Sequence, residues 1–179
     1  MPREWLGRAS AYRTPRPQPA GWPLNEMAGS VAAVVRSIDL ADVAVAARVV
    51  EIQQAAYRVE AQMIGFDRIP PLLETIDDVR SQPLSWLGSF EEHPLAGIIG
   101  WTVANGVCDI DRLAVHPTFA RRGHGRRLVS HLLQHDTIIV STGTNNVPAR
   151  HLYESLGFIR TGEHEIADGV TVAAYERRT

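Results

Sequence analysis

Seven consecutive residues, Arg121-Arg122-Gly123-His124-Gly125-Arg126-Arg127, carry the densest chemistry in the chain. They follow a valine-ended strand pattern and open a helical one, in which Leu128, Val129, Leu132 and Leu133 mark the buried face. Two glycines one residue apart let backbone N–H groups converge without Cβ interference, and a helix start offers unpaired donors and the positive end of its dipole. Four arginines add charge, so the turn is built for an anion. It is not a Walker A loop, because Gly-Lys-Ser/Thr is missing. It also lacks the third glycine of a dinucleotide fingerprint.

The elements around this turn follow from periodicity. Val31–Ile38 reads as a strand, and Asp39 caps a long helix to about Glu60 with Val45, Val49, Ile52, Ala56 and Val59 at helical spacing. Pro70-Pro71 starts a second helix to about Ser81. Strands at Leu84–Glu91 and Leu95–Val103 follow, and Asn105-Gly106 turns the chain into a strand at Val107–Val115. Beyond the glycine turn come a helix at about His124–His135, a strand at Thr137–Ser141 and a helix at Pro148–Leu156. Strands at Phe158–Ile166 and Val170–Arg177 close the chain about Ala167-Asp168-Gly169. The order βααβββαβαββ implies one mixed α/β domain over residues 31–179. Residues 1–30 hold five of the 11 prolines and read as a mobile, proline- and arginine-rich extension. Met27, just before the first strand-like run, offers an alternative start.

A second segment, Asn146-Val147-Pro148-Ala149-Arg150-His151-Leu152-Tyr153-Glu154-Ser155-Leu156-Gly157-Phe158, places Asn146 ahead of a helix and Tyr153 within it. Together with Arg-Arg-Gly-x-Gly-Arg at 121–126, it resembles the GNAT superfamily of CoA-dependent N-acyltransferases over about residues 31–179. The resemblance implies an α/β (α+β) fold with a mixed, mostly antiparallel central sheet flanked by helices, and acetyl-CoA as cosubstrate. Its pantetheine arm would lie along Leu113, Ala114 and Val115, and its pyrophosphate over the amides of Arg121, Arg122, Gly123, His124, Gly125 and Arg126. Ala120 departs from the Arg or Gln frequent three residues before the first glycine. Asn146 matches the position that contacts the CoA arm, and its residue type equally suits a helix cap. Tyr153 matches the residue that protonates the leaving thiolate in many members.

Acyl transfer needs a neutral amine, so a proton acceptor is required. Some relatives place a glutamate five residues before the Asn, and Ser141 stands there in this chain. Asp109 and Asp111 on the preceding strand are the candidates, and regular alternation puts them on one face with Leu113 and Val115. Glu60, on the helix that walls the acceptor side in the family, is another. Tyr57, Glu60, Phe66 and Asp67 form an aromatic and acidic set suited to a cationic amine.

Composition bounds the remaining readings. The 179 residues suit one domain, with 45% hydrophobic and 21% charged residues and a formal charge of -2. No apolar run reaches the length of a membrane span, and the first residues lack the apolar core of a signal peptide, so the cytoplasm is the expected location. Cys108 is the single cysteine and reads as a small core hydrophobe. No metal is expected: His131 and His135 are spaced i,i+4 without an evident third ligand. All 18 basic residues are arginine, which leaves no side-chain amine. The function expected is transfer of an acetyl group to a primary amine on a small molecule or a protein. A non-catalytic acyl-CoA-binding or sensing module, and a protein N-terminal or lysine acetyltransferase, are the alternatives. No membrane or nucleic-acid partner is expected, since no aromatics interleave the arginine cluster for base stacking. A homodimer through the C-terminal strands is a further expectation of the resemblance.

Overall fold

A computed structural model describes residues 33–167 and 169–179. The extension over 1–30 and Asp168 of the last turn lie outside the described residues. The elements are β1 (Val34–Ser37), α1 (Val43–Ile64), α2 (Ile76–Ser81), β2 (Ser85–Phe90), β3 (Leu95–Ala104), β4 (Val107–Val115), α3 (His124–Ser130), β5 (Thr137–Gly143), α4 (Val147–Ser155), β6 (Ile159–Ala167) and β7 (Val170–Arg178). The expected order is found, with single 3-10 turns at Pro70–Leu72 and Pro117–Phe119.

Local chemistry moves several boundaries. Asp42, not Asp39, caps α1, accepting from the N–H groups of Ala44 at 2.8 Å and Val45 at 3.4 Å. Asp39 instead accepts from Ala41 N–H in the turn before it. The helix runs a turn past Glu60 and stops where Gly65 adopts φ 71°, a left-handed C-terminus that glycine takes without a Cβ clash. Pro70-Pro71 starts only the short 3-10 turn; α2 begins later, where Thr75 and Asp78 cap each other reciprocally. Helix α3 ends at Ser130 because the chain tightens into i→i+3 bonds from Leu132 to Val129 and Leu133 to Ser130.

The seven strands form one sheet in the order β1-β2-β3-β4-β5-β7-β6. Every neighbouring pair is antiparallel except β4 with β5. Asn105 (φ 52°) and Gly106 (φ 80°) supply the two positive φ values that the tight β3–β4 turn needs. One face is covered by α1 and α2, where Val49, Ile52 and Val79 meet Trp86, Ile98 and Ala114. The other is covered by α3 and α4, where Leu128, Leu132 and Tyr153 meet Ile99, Ile110 and Tyr175. Fully burying one such aliphatic side chain stabilises the fold by about 1.5–3 kcal/mol.

Two irregularities in β4 shape everything that follows. Its parallel pairing with β5 covers Val107 to Ile110 against Thr137 to Val140 and then stops, so the strands part beyond that point. A bulge against Gly100 and Trp101 leaves Asp111 unpaired, with Ile110 opposite Trp101 and Arg112 opposite Gly100. The extra residue reverses the alternation. Ile110 and Leu113 both reach the α3/α4 side, while Ala114 packs on the α1 side. Asp109 and Asp111 therefore do not share a face with Leu113 and Val115, contrary to the expectation of unbroken alternation.

Candidate active site

The parting of β4 and β5 opens a cavity of about 390 Å³. Its floor comes from Asp109 to Leu113 and Ile139 to Thr142, one wall from Tyr57 and Glu60 of α1, and another from Asn146 and Tyr153 of α4. Beside it, Leu113, Ala114 and Val115 pair with Ile99, Ile98 and Gly97 on one side only. Their other edge has no strand partner among the described residues, as an extended ligand arm would require.

The glycine turn lies at the end of this edge. Arg121 and Gly123 both have positive φ, 65° and 84°, which turns successive N–H groups toward a common concavity. Gly123 stands immediately before α3 as its cap and has no side chain to fill that role, so the first helical amides stay available. Gly125 lets α4 approach: a Cβ there would lie 3.3 Å from Leu152 Cδ2. The arginine side chains are largely engaged in holding the turn. Arg127 Nη1 donates to the Arg122 carbonyl at 2.7 Å, and Arg126 Nη2 donates to Ser155 Oγ at 2.6 Å. Arg122 pairs with Glu91 at 2.5 Å and lies over the Phe119 ring. Arg121 has no ion-pair partner among the described residues.

His124 does not point outward. Its ring is 1% exposed, with Nδ1 2.9 Å from Ser89 Oγ and Nε2 3.1 Å from Glu91 Oε2. Hydrogen bonding to His124, followed by Arg122, holds the Glu91 carboxyl below the usual range. The side chains of Ser89 and Glu91 thus tie the β2–β3 turn to the glycine turn, a link that no sequence spacing advertised.

Tyr153 is 3% exposed, with its ring against Phe158 and Tyr175 at centroid distances of 5.5 and 6.0 Å. Burial, then the nearby Tyr57 and Glu60, push its phenol well above the ordinary range, which keeps it a proton donor. Tyr57 is raised chiefly by burial as well. Asn146 caps α4, its side chain accepting from Ala149 N–H at 3.2 Å, and it also lines the cavity. Glu60 reaches across from α1 to the tip of β5. Burial raises its carboxyl, while hydrogen bonds from Asn146, the Gly143 backbone and Thr142 partly counter the rise.

Asp109 and Asp111 both line the cavity and both are raised, Asp109 by burial and then by Asp111, Asp111 by burial against the opposing charge of Arg112. Arg112, 3% exposed, is the residue that sequence reasoning missed. Its Nη2 donates to Glu74 Oε1 at 2.7 Å and its Nη1 lies 2.7 Å from Asp111 Oδ1, while its Nε has no partner. Phe66 stands apart from the cavity. The left-handed turn at Gly65 sends it against Ile64, Ile69 and Val170, with Arg68 over its ring. Cys108 is buried, and burial raises its thiol to about 12. Among the described residues, no three His, Cys, Asp or Glu side chains gather as a metal site; His131 Nδ1 donates to the Arg127 carbonyl.

A mostly antiparallel sheet that parts at one parallel pair, with a glycine turn at one end of the gap and a buried tyrosine beside it, defines an acyltransferase-type architecture. The model of the Acetyltransferase (GNAT) family matches residues 46–158, and the chain belongs to that family. The UPF0157 protein YqkA of Bacillus subtilis is 32% identical over 135 residues, 73% of this chain. The match spans only 39% of that relative's length. The fold is also that of the ribosomal-protein-S18-alanine N-acetyltransferase from Escherichia coli, with a TM-score of 0.64, 20% identity, and coverage of 82% of this chain and 94% of that one. A PaiA N-acetyltransferase from Thermoplasma acidophilum, solved with coenzyme A, gives a TM-score of 0.65 at 12% identity over 83% and 99% of the two chains. No helix among the described residues is long and apolar enough to cross a membrane.

Proposed function

We propose that this chain transfers the acetyl group of acetyl-CoA to a primary amine by direct attack within a ternary complex. The observation that carries this reading is the parted β4–β5 pair, which sets a cavity with a buried phenol beside a β4 edge that β5 leaves uncovered, in the strand that leads into the glycine turn. The residues fit the cosubstrate. The free edge of Leu113 to Val115 suits an amide-bearing arm, and the amides of Arg121 to Arg126 suit a pyrophosphate. When bound, acetyl-CoA supplies an activated thioester carbonyl. The protein positions it with the β4 backbone, excludes water with Tyr57 and Tyr153, and holds a proton on the Tyr153 hydroxyl for the departing sulfur.

Acids at Glu60, Asp109 and Asp111 favour a cationic acceptor, whose amine must lose a proton before attack. The family match and the coenzyme A bound in the Thermoplasma acidophilum structure of the same fold support the acyl-CoA reading, and the acceptor rests on this cavity's own chemistry. We place the reaction in the cytoplasm and infer a homodimer.

The test is a thermal-shift titration with acetyl-CoA, with ADP as a control, on the wild type and Gly123→Asp. At about 100 times the dissociation constant the ligand adds about 2.7 kcal/mol, or roughly 5–10 °C at this length. A carboxylate placed in the amide cradle should abolish the shift. An unshifted wild type, or an equal shift in the variant, overturns the reading.

A further inference from the structure

Ser141 occupies the position at which some family members carry a glutamate on β5, yet the space beside it is not without a carboxylate. Glu60 comes from a different element. It sits more than three turns into α1, which packs on the α1/α2 face of the sheet and ends at the Gly65 turn. Gly143, the last residue of β5, makes this approach possible. A Cβ on Gly143 would lie 2.7 Å from Ile64 Cγ2 and 3.6 Å from Glu60 Oε1, so only glycine lets this part of α1 come so near the strand tip. Thr142 and Asn146 line the cavity beside the carboxylate, where α4 starts.

We propose that Glu60 is the proton acceptor for the incoming amine, a carboxylate delivered from α1 in place of one on β5. The assignment rests on the acetyl-transfer reading given above. Geometry favours Glu60 over its rivals. Asp111 is held against Arg112, whose other arm is bound by Glu74, so a cation beside it already competes for an approaching ammonium. Asp109 lies one residue pair before the strands part, alongside Ile139, deeper toward the closed end of the β4–β5 seam. Glu60 shares the cavity with Tyr153 and stands in no ion pair among the described residues. Glu60 and the phenols of Tyr57 and Tyr153 line one space. The other ionisable groups facing that space are Asp109, Asp111 and Arg112 from β4, His164 from β6, and Tyr175 and Glu176 from β7.

The proton count closes. The ammonium gives one proton to the Glu60 carboxylate, and the freed lone pair forms the C–N bond as the C–S bond of the thioester breaks. The departing sulfur takes the Tyr153 hydroxyl proton. The nitrogen's remaining surplus proton restores the phenol, and Glu60 returns its own proton to solvent as product leaves.

The experiment compares wild type, Glu60→Gln and Asp109→Asn with acetyl-CoA and two primary amines of different basicity, phenethylamine and the much less basic glycinamide. Acetyl-CoA affinity is measured in parallel by calorimetry. Glu60→Gln should bind acetyl-CoA as the wild type does and lose about a hundredfold or more in kcat with phenethylamine. With glycinamide the loss should be much smaller, because a far larger fraction of that amine is already neutral than of phenethylamine. A purely structural role for Glu60 would lower both rates alike, and that result overturns the proposal. So does a Glu60→Gln enzyme with full activity, or an Asp109→Asn enzyme that shows the basicity-dependent loss instead. If the wild type binds acetyl-CoA but turns over neither amine, this assignment falls. If the wild type does not bind acetyl-CoA, the acetyl-transfer reading falls before it.

Discussion

Replacing Arg112 by Met removes a buried cation from the cavity and leaves its partners in place. The guanidinium joins Glu74 through a 2.7 Å hydrogen bond and stands 2.7 Å from Asp111. The side chain of Glu74 is only 11% exposed, so the variant strands a carboxylate that water reaches poorly. Breaking a buried ion pair from one side costs about 3–5 kcal/mol, most of it the stranded charge. Two glutamines moderate that cost here, because Gln53 Nε2 and Gln82 Nε2 still donate to Glu74 at 3.1 and 3.5 Å. We therefore expect a loss of about 3 kcal/mol, at the lower end of that range. It corresponds to a fall in Tm of roughly 6–12 °C for a chain this long. Urea unfolding of four proteins decides it: wild type, Arg112→Met, Glu74→Gln and the double variant. Removing the Glu74 charge in the Met background should recover most of the loss. A cost below about 1 kcal/mol for Arg112→Met, or a double variant less stable than Arg112→Met, would refute the reasoning.

Two further outcomes follow from the same site. Asp109 and Asp111 have raised folded-state pKa values, so the folded protein holds their protons more tightly than the unfolded chain does. Stability should consequently fall as pH rises from the ordinary carboxylate range through the raised values; Asp109→Asn should flatten part of that fall, and Tm against pH for the two proteins checks it. Asn146→Ala removes the acceptor for Ala149 N–H and should cost about 1 kcal/mol by urea unfolding.

Much of the architecture was readable from local pattern because local physics sets it. Periodicity gave the element order, Asn105-Gly106 the hairpin, and the glycine-arginine turn the start of α3. What escaped was set across space. The bulge at Asp111 depends on how β3 registers against β4, and nothing in the β4 sequence alone announces an extra residue; unbroken alternation therefore assigned Asp109 and Asp111 to the wrong face. Nothing in the sequence sets Arg112 apart from the other arginines. Its burial beneath Glu74, contributed by a loop 38 residues earlier, becomes visible only after α1 and α2 have packed. Phe66 illustrates the reverse error, since closeness to Glu60 in the chain carried no closeness in space once Gly65 had turned the backbone. The caps at Asp42 and Thr75 were also open to choice, because several acids and hydroxyls stood within reach of each helix start.

The link from Glu91 to both Arg122 and His124 has a thermodynamic meaning. It fastens the glycine turn to the β2–β3 hairpin from beneath, with Ser89 closing the underside. A turn held in this way has few alternative shapes to abandon when an anion settles on its amides. Association there should carry little ordering entropy and show itself as heat, with the loop amides slow to exchange with solvent water even before the ligand arrives.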